Sequence, residues 1–190
     1  MKQATNPNQR VGIFVDVQNL YHSAKNLYGG RVNYGELIKY LVGGRQLIRA
    51  MAYVVKSEGI VEVAHREPSV RSGRGGRPVP LSSEASFFEA LEKAGLELRV
   101  KDLQVFAGGM KKADWDVGMA VDAIRMASFL DVVILVTGDG DFIPLIDYLK
   151  WGVGRFVEVA AFKRSASLKV QEVADRFINI EEIPRIIIKR

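Results

Sequence analysis

The chain has 190 residues, 48% hydrophobic and 26% charged, which excludes global disorder and makes one ordinary globular domain the expectation. Lys and Arg number 27 against 22 Asp and Glu, a net charge of +5 that suits a polyanionic partner but is shared by many plain enzymes. With no cysteine and two histidines, disulfides, thiolate catalysis and Cys-ligated metal centres are excluded; any metal must be held mainly by oxygen ligands, which points to Mg²⁺ or Mn²⁺.

Residues 1–10 are polar and read as a flexible tail without the apolar stretch of a signal peptide. No apolar run reaches the roughly 20 residues needed to cross a bilayer, so no membrane partner and a cytoplasmic location are expected. Residues 11–16 (VGIFVD) read as a buried parallel strand. Helical character follows over 19–27, then a second helix over 34–41 with Asn33 as its N-cap. Residues 46–55 read as a strand. The stretch 64–80 (AHREPSVRSGRGGRPVP) has no apolar periodicity and reads as a basic, flexible loop.

A helix is predicted over 83–94, stopped by Gly95, and a strand over 96–100. Residues 113–127 read as a helix with Asp114 near its start. Residues 131–137 (DVVILVT) form the clearest buried strand, and 138–141 (GDGD) a turn. A helix over 142–149, a strand over 156–162, a helix over 168–175 and a short strand over 177–180 complete the series. Such alternation implies an α/β fold: a mainly parallel sheet with helices on both faces. The domain is expected to span 11–183, leaving 184–190 as a C-terminal tail.

Ligand sites of open α/β sheets lie beyond the carboxyl ends of the strands. Asp16 ends the first strand, and Asp139 and Asp141 follow the strongest one. A helix arriving from that edge would bring Asp116 to the same point. Singly, each Asp reads as a cap or turn residue; Asp141 could cap the 142–149 helix, and Asp114 its own helix. Together, clustered carboxylates repel, and a cation resolves the repulsion. Asp122 lies six residues after Asp116, about 240° around a helix, so it either pairs with a basic side chain or supports the site from behind. Asn19 could bind a phosphate oxygen or simply cap a helix, and the Thr137 hydroxyl could orient an aspartate.

Three stretches resemble one family in order. Residues 14–20 (FVDVQNL) resemble the opening motif of NYN domains, the LabA-like branch of the PIN-like nuclease superfamily. Residues 112–123 (KADWDVGMAVDA) resemble its central helix motif, although the family often has Gly where Asp114 and Trp115 stand. Residues 136–145 (VTGDGDFIPL) resemble its most diagnostic segment. The resemblance implies a PIN-like fold and a metal-dependent ribonuclease that hydrolyses RNA phosphodiester bonds. It carries the catalytic, Mg²⁺- or Mn²⁺-binding role onto Asp16, Asp116, Asp139 and Asp141, with Asn19, Thr137 and Asp122 in support.

RNA, single-stranded by preference, is then the expected partner. Lys112 of the matched motif and Arg66, Arg71, Arg74 and Arg77 of the basic loop are the candidates for its phosphates. Tyr21 and Trp115 flank the acids and could stack bases or pack in the core. The apolar residues 186–188 could cover the core or meet a second copy of the chain.

Rival readings weaken on particular residues. A HAD-type phosphatase needs a second Asp two residues beyond its nucleophile, where Gln18 stands. A dinucleotide-binding Rossmann enzyme needs a Gly-rich turn where Asp16-Val17-Gln18-Asn19 stands. A nucleic-acid-binding regulatory module that keeps the fold without catalysis remains the alternative, and RNA over DNA rests on the resemblance alone.

Overall fold

The structure, a computed structural model, describes residues 6–56, 83–102, 104–105, 111–112 and 115–189. In chain order the elements are β1 (Arg10–Asp16), α1 (Val17–Tyr28), β2 (Arg31–Val32), α2 (Tyr34–Val42), β3 (Gln46–Lys56), α3 (Ser83–Lys93), β4 (Glu97–Asp102) and the short β5 (Gln104–Val105) and β6 (Lys111–Lys112). Then come α4 (Asp116–Met126), β7 (Val132–Val136), α5 (Ile143–Asp147), β8 (Phe156–Ala161), α6 (Leu168–Val173), β9 (Arg176–Asn179) and β10 (Ile187–Ile188). The sequence-based expectation of an alternating α/β chain holds.

Six strands form one parallel sheet in the order β4-β3-β1-β7-β8-β9. From β1 the chain builds outward through β3 to β4. It then returns to β7 on the other flank of β1 and builds outward to β9. The winding therefore reverses between β1 and β7, the place where such sheets open a ligand crevice.

The strands are apolar throughout because both faces are covered. Along β1, Val11, Ile13 and Val15 pack under α1, α2 and α3, with Leu20, Leu37 and Leu91 as the helical counterparts. Phe14 points the other way, with Val133 and Leu135, into the layer built by Met119 of α4, Ile146 of α5 and Val170 of α6. This two-residue alternation divides the core into two layers from one set of strands.

Asn33 caps α2 as expected, its Oδ1 accepting from the Glu36 N–H at 3.2 Å. The helix expected from 113 begins at Asp116, with Trp115 at the N-cap position and no side-chain cap bond. Asp114 lies outside the described residues, as does the 64–80 loop with Arg66, Arg71, Arg74 and Arg77. The helix expected over 142–149 is three pieces: a 3₁₀ turn (Gly140–Phe142), α5, and a π-helical turn (Tyr148–Gly152). Asp139, not Asp141, caps its start, the Asp139 Oδ1 accepting from the Asp141 N–H at 3.0 Å. The segment after 183 pairs with the domain: β10 runs antiparallel to β2, and Ile186 is buried in the core.

Candidate metal centre

β1 ends at Asp16 and β7 ends one residue before Thr137, side by side at the reversal of the sheet. Side chains tie the two strand ends together. The Thr137 hydroxyl donates to Asp16 Oδ2 at 3.1 Å and accepts from the Asp139 N–H at 3.2 Å. Asp16 Oδ1 accepts from the Asn19 N–H at 3.0 Å and so caps α1. Asn19 Oδ1 in turn accepts from the Gly138 N–H at 3.0 Å. Asn19 thus acts as a brace between β1 and β7. Gly138 permits the turn to close against the chain near Ala166, where a Cβ would stand 2.9 Å from the Ala166 Cα.

Burial pushes the Asp16 carboxyl above its ordinary pKa, and the negative charge of Asp139 adds to the rise. The hydrogen bonds from Asn19 and Thr137 oppose it.

Asp116 arrives from the opposite helical layer. The Trp115 indole N–H donates to the Val54 carbonyl at 2.9 Å, and its ring meets Tyr53 edge-on at 5.5 Å. Gly118 leaves room for that ring, since a Cβ there would lie 2.5 Å from Trp115 Cε3. The first turn of α4 is thereby pinned to β3, and Asp116 is held over the strand ends.

Carboxylate oxygens of Asp116, Asp139 and Asp141 lie within 4.8 Å of one another. Three hard oxygen donors from two elements at one point match the donor set of Mg²⁺ or Mn²⁺, with waters completing the shell. Asp16 is outside that trio but lines the same polar cleft, of about 210 Å³, together with Asp116, Asp139, Gln18, Asn19, His22, Tyr53 and Trp115. The four aspartates expected from the sequence therefore share one sheet edge, three of them in mutual reach and the fourth beside them.

Asp122 forms an ion pair with Arg99 at 3.3 Å and accepts at 3.1 Å from the hydroxyl of Tyr53, itself a lining residue of the cleft, so it pairs with a basic side chain and also stands behind the site. Lys112 sits on β6, paired with Gln104. Tyr21 is on the surface of α1, edge-on to His22 at 5.5 Å.

Sequence reasoning did not single out Gln18, His22 or Tyr53 as lining residues. For His22 a signal existed: it lies three residues after Asn19, on the same helical face. Tyr53 had none, because its place depends on the parallel register that sets it beside Asp16.

The model of the NYN domain family matches residues 10–181. The chain belongs to the NYN domain family. This NYN domain, a member of the PIN-like nuclease superfamily, is also similar to the crystal structure of a protein of unknown function from Vibrio parahaemolyticus. That likeness has a TM-score of 0.77 and 26% identity, covering 98% of this chain and 100% of the other. No curated protein matches. No helix among the described residues is long and apolar enough to cross a membrane.

Proposed function

We propose that this NYN domain is a divalent-cation-dependent ribonuclease of the LabA-like branch, acting on single-stranded RNA in the cytoplasm. The observation that carries the reading is the trio of carboxylates within 4.8 Å at the reversal of a parallel sheet. Asp116, Asp139 and Asp141 would hold Mg²⁺ or Mn²⁺, with Asp16 beside them. Once bound, such a cation supplies a more acidic water and neutralises charge on the phosphate.

The chain's own residues have distinct tasks. Asp16, which lines the cleft beside the trio without belonging to it, is placed to take the proton released by the attacking water. Thr137 and Asn19 fix its two oxygens, so its direction is set before substrate arrives. The water oxygen bonds to phosphorus and the P–O3′ bond breaks. A 5′-phosphate and, after proton uptake, a 3′-hydroxyl result. Lys112, Arg66, Arg71, Arg74 and Arg77 are proposed on sequence grounds to hold the backbone phosphates.

The test is cleavage of an end-labelled single-stranded RNA with Mg²⁺ or Mn²⁺, beside the Asp139→Asn variant. Native protein should cleave, and the variant should lose at least 100-fold. Absence of cleavage on RNA and DNA, with salt-sensitive binding retained, would instead establish a nucleic-acid-binding regulatory module.

A further inference from the structure

The trio stands between two different clefts. One is the polar cleft already described. The other is a groove of about 330 Å³ between α4 and the α5 region, which begins at the same Asp116 and at Asp141. Its α4 wall is Val117, Ala120 and Ile124, and its facing wall includes Pro144 and Tyr148. Among the described residues, Asp116 and Asp141 are its only charged lining residues, and both belong to the trio. The volume falls at the low end of small-ligand sites, about 300–1,000 Å³.

Charge decides what can lie there. Beyond those two carboxylates the described lining is uncharged and offers a phosphate no cation, so the body of the groove does not suit the nucleic-acid backbone. A nucleobase is neutral, flat and apolar on its faces. Tyr148 is 49% exposed although it flanks a packed helix. Its ring lies against the backbone at Gly152, where a Cβ would stand 3.0 Å from the Tyr148 Cδ2. Tyr148 also opens the π-helical turn, a rare local geometry that occurs often at functional sites. A half-exposed aromatic ring in a groove that begins at the acidic trio offers a face on which a base can stack.

We propose that this groove receives the base of the nucleotide on one side of the scissile phosphate, stacked on Tyr148 against the α4 wall. The inference rests on the ribonuclease reading. A phosphodiester held at the trio sends its two nucleosides in opposite directions. One enters the polar cleft, where Gln18, Asn19 and His22 offer hydrogen bonds, and the other lies on the apolar wall. The nucleotide on the apolar side must be unpaired, because a base inside a duplex has both faces covered. Stacking accepts every base, so discrimination between bases falls to the polar side.

The experiment uses tetranucleotide RNAs carrying 2-aminopurine at each position in turn, bound to the whole protein with Ca²⁺ to suppress turnover. One position should be strongly quenched. Tyr148→Ala should relieve that quenching and weaken binding about 5- to 100-fold, and Tyr148→Phe should restore both. A tetranucleotide made abasic at that position should bind native protein and Tyr148→Ala equally. Quenching that survives Tyr148→Ala, or an abasic chain that still distinguishes the two proteins, would overturn the stacking site. So would a Tyr148→Ala protein whose only change is loss of a dimer in sedimentation, since the groove would then be a contact between copies. Normal cleavage without quenching removes this inference and leaves the ribonuclease standing. Binding and quenching in Ca²⁺, without any cleavage when Mg²⁺ or Mn²⁺ replaces it, remove the ribonuclease and keep the stacking site.

Discussion

Thr137 is the smallest group on which the geometry of the site depends. Its one hydroxyl donates to Asp16 and accepts from the backbone of Asp139, so it sets two of the four aspartates at once. Valine has the same shape without those bonds. Thr137→Val should lower kcat by at least tenfold while KM moves little, because the loss is one of orientation. It should also destabilise the fold by about 1–3 kcal/mol, the usual result of leaving buried polar partners unmade. Urea denaturation and steady-state kinetics would check both, and a variant with native kcat would remove Thr137 from the positioning scheme. Asp16 has the opposite balance. Its half-buried charge, beside that of Asp139, opposes folding when no cation is present, so Asp16→Asn should raise the metal-free melting temperature at neutral pH while abolishing activity. A lower melting temperature for that variant would contradict the assignment.

The elements act through their ends. The start of α4 depends on Gly118 lying under the Trp115 ring. Gly118→Val should push the ring away, destabilise the protein by about 1–3 kcal/mol through overpacking, and move Asp116 off the trio. Circular dichroism and cation titration would separate the two effects; native cation affinity would show that Trp115 does not hold Asp116 in place. At the far ends of the strands, Asp131 accepts from the Arg10 backbone N–H at 2.8 Å and from its guanidinium at 2.8 and 3.1 Å, which holds the Asp131 pKa down to about 2. An unfolded Asp titrates near 3.9. The contribution is therefore complete above about pH 4 and is lost as pH falls toward 2. The difference in urea midpoint between native protein and Asp131→Asn should shrink across that window, whereas a constant difference would refute the linkage.

Much at this scale was legible. Continuous apolar runs marked β1, β3 and β7, and aspartates at strand ends marked the edge where a site should form. Two things were not. The 142–149 segment has helical spacing, but hydrophobic periodicity does not distinguish 3₁₀, α and π turns, so neither the broken helix nor the Asp139 cap could be read. Tyr53 is a mid-strand aromatic, and only the pairing of β1 with β3 shows that it stands beside Asp16.

Across the whole molecule, the acidic edge has a charged counterpart inside the sheet. Glu158 of β8 is bound by both terminal nitrogens of Arg45, at 2.9 and 3.0 Å, and by Arg176 at 3.4 Å, with Arg45 and Glu158 almost fully buried. Arg45 also donates to the Leu41 and Val42 carbonyls, linking the end of α2 to the sheet. Removing the acid strands a buried cation, so Glu158→Ala should destabilise by about 3–5 kcal/mol, read as a lowered urea midpoint. A change under 1 kcal/mol would mean that water reaches Arg45. The sequence showed only an acid inside an apolar strand, since a partner 113 residues away is a property of the fold.

The reversal between β1 and β7 also has a consequence in time. Asp16 and Thr137 are hydrogen-bonded yet 121 residues apart in the chain. At about 5–20 residues per second, translation takes about 6–24 s to make the second after the first. Throughout that interval the nascent chain carries one strand end and no acidic trio. No carboxylate trio can assemble, and no cation can be gathered at it, until the turn that follows β7 has been made.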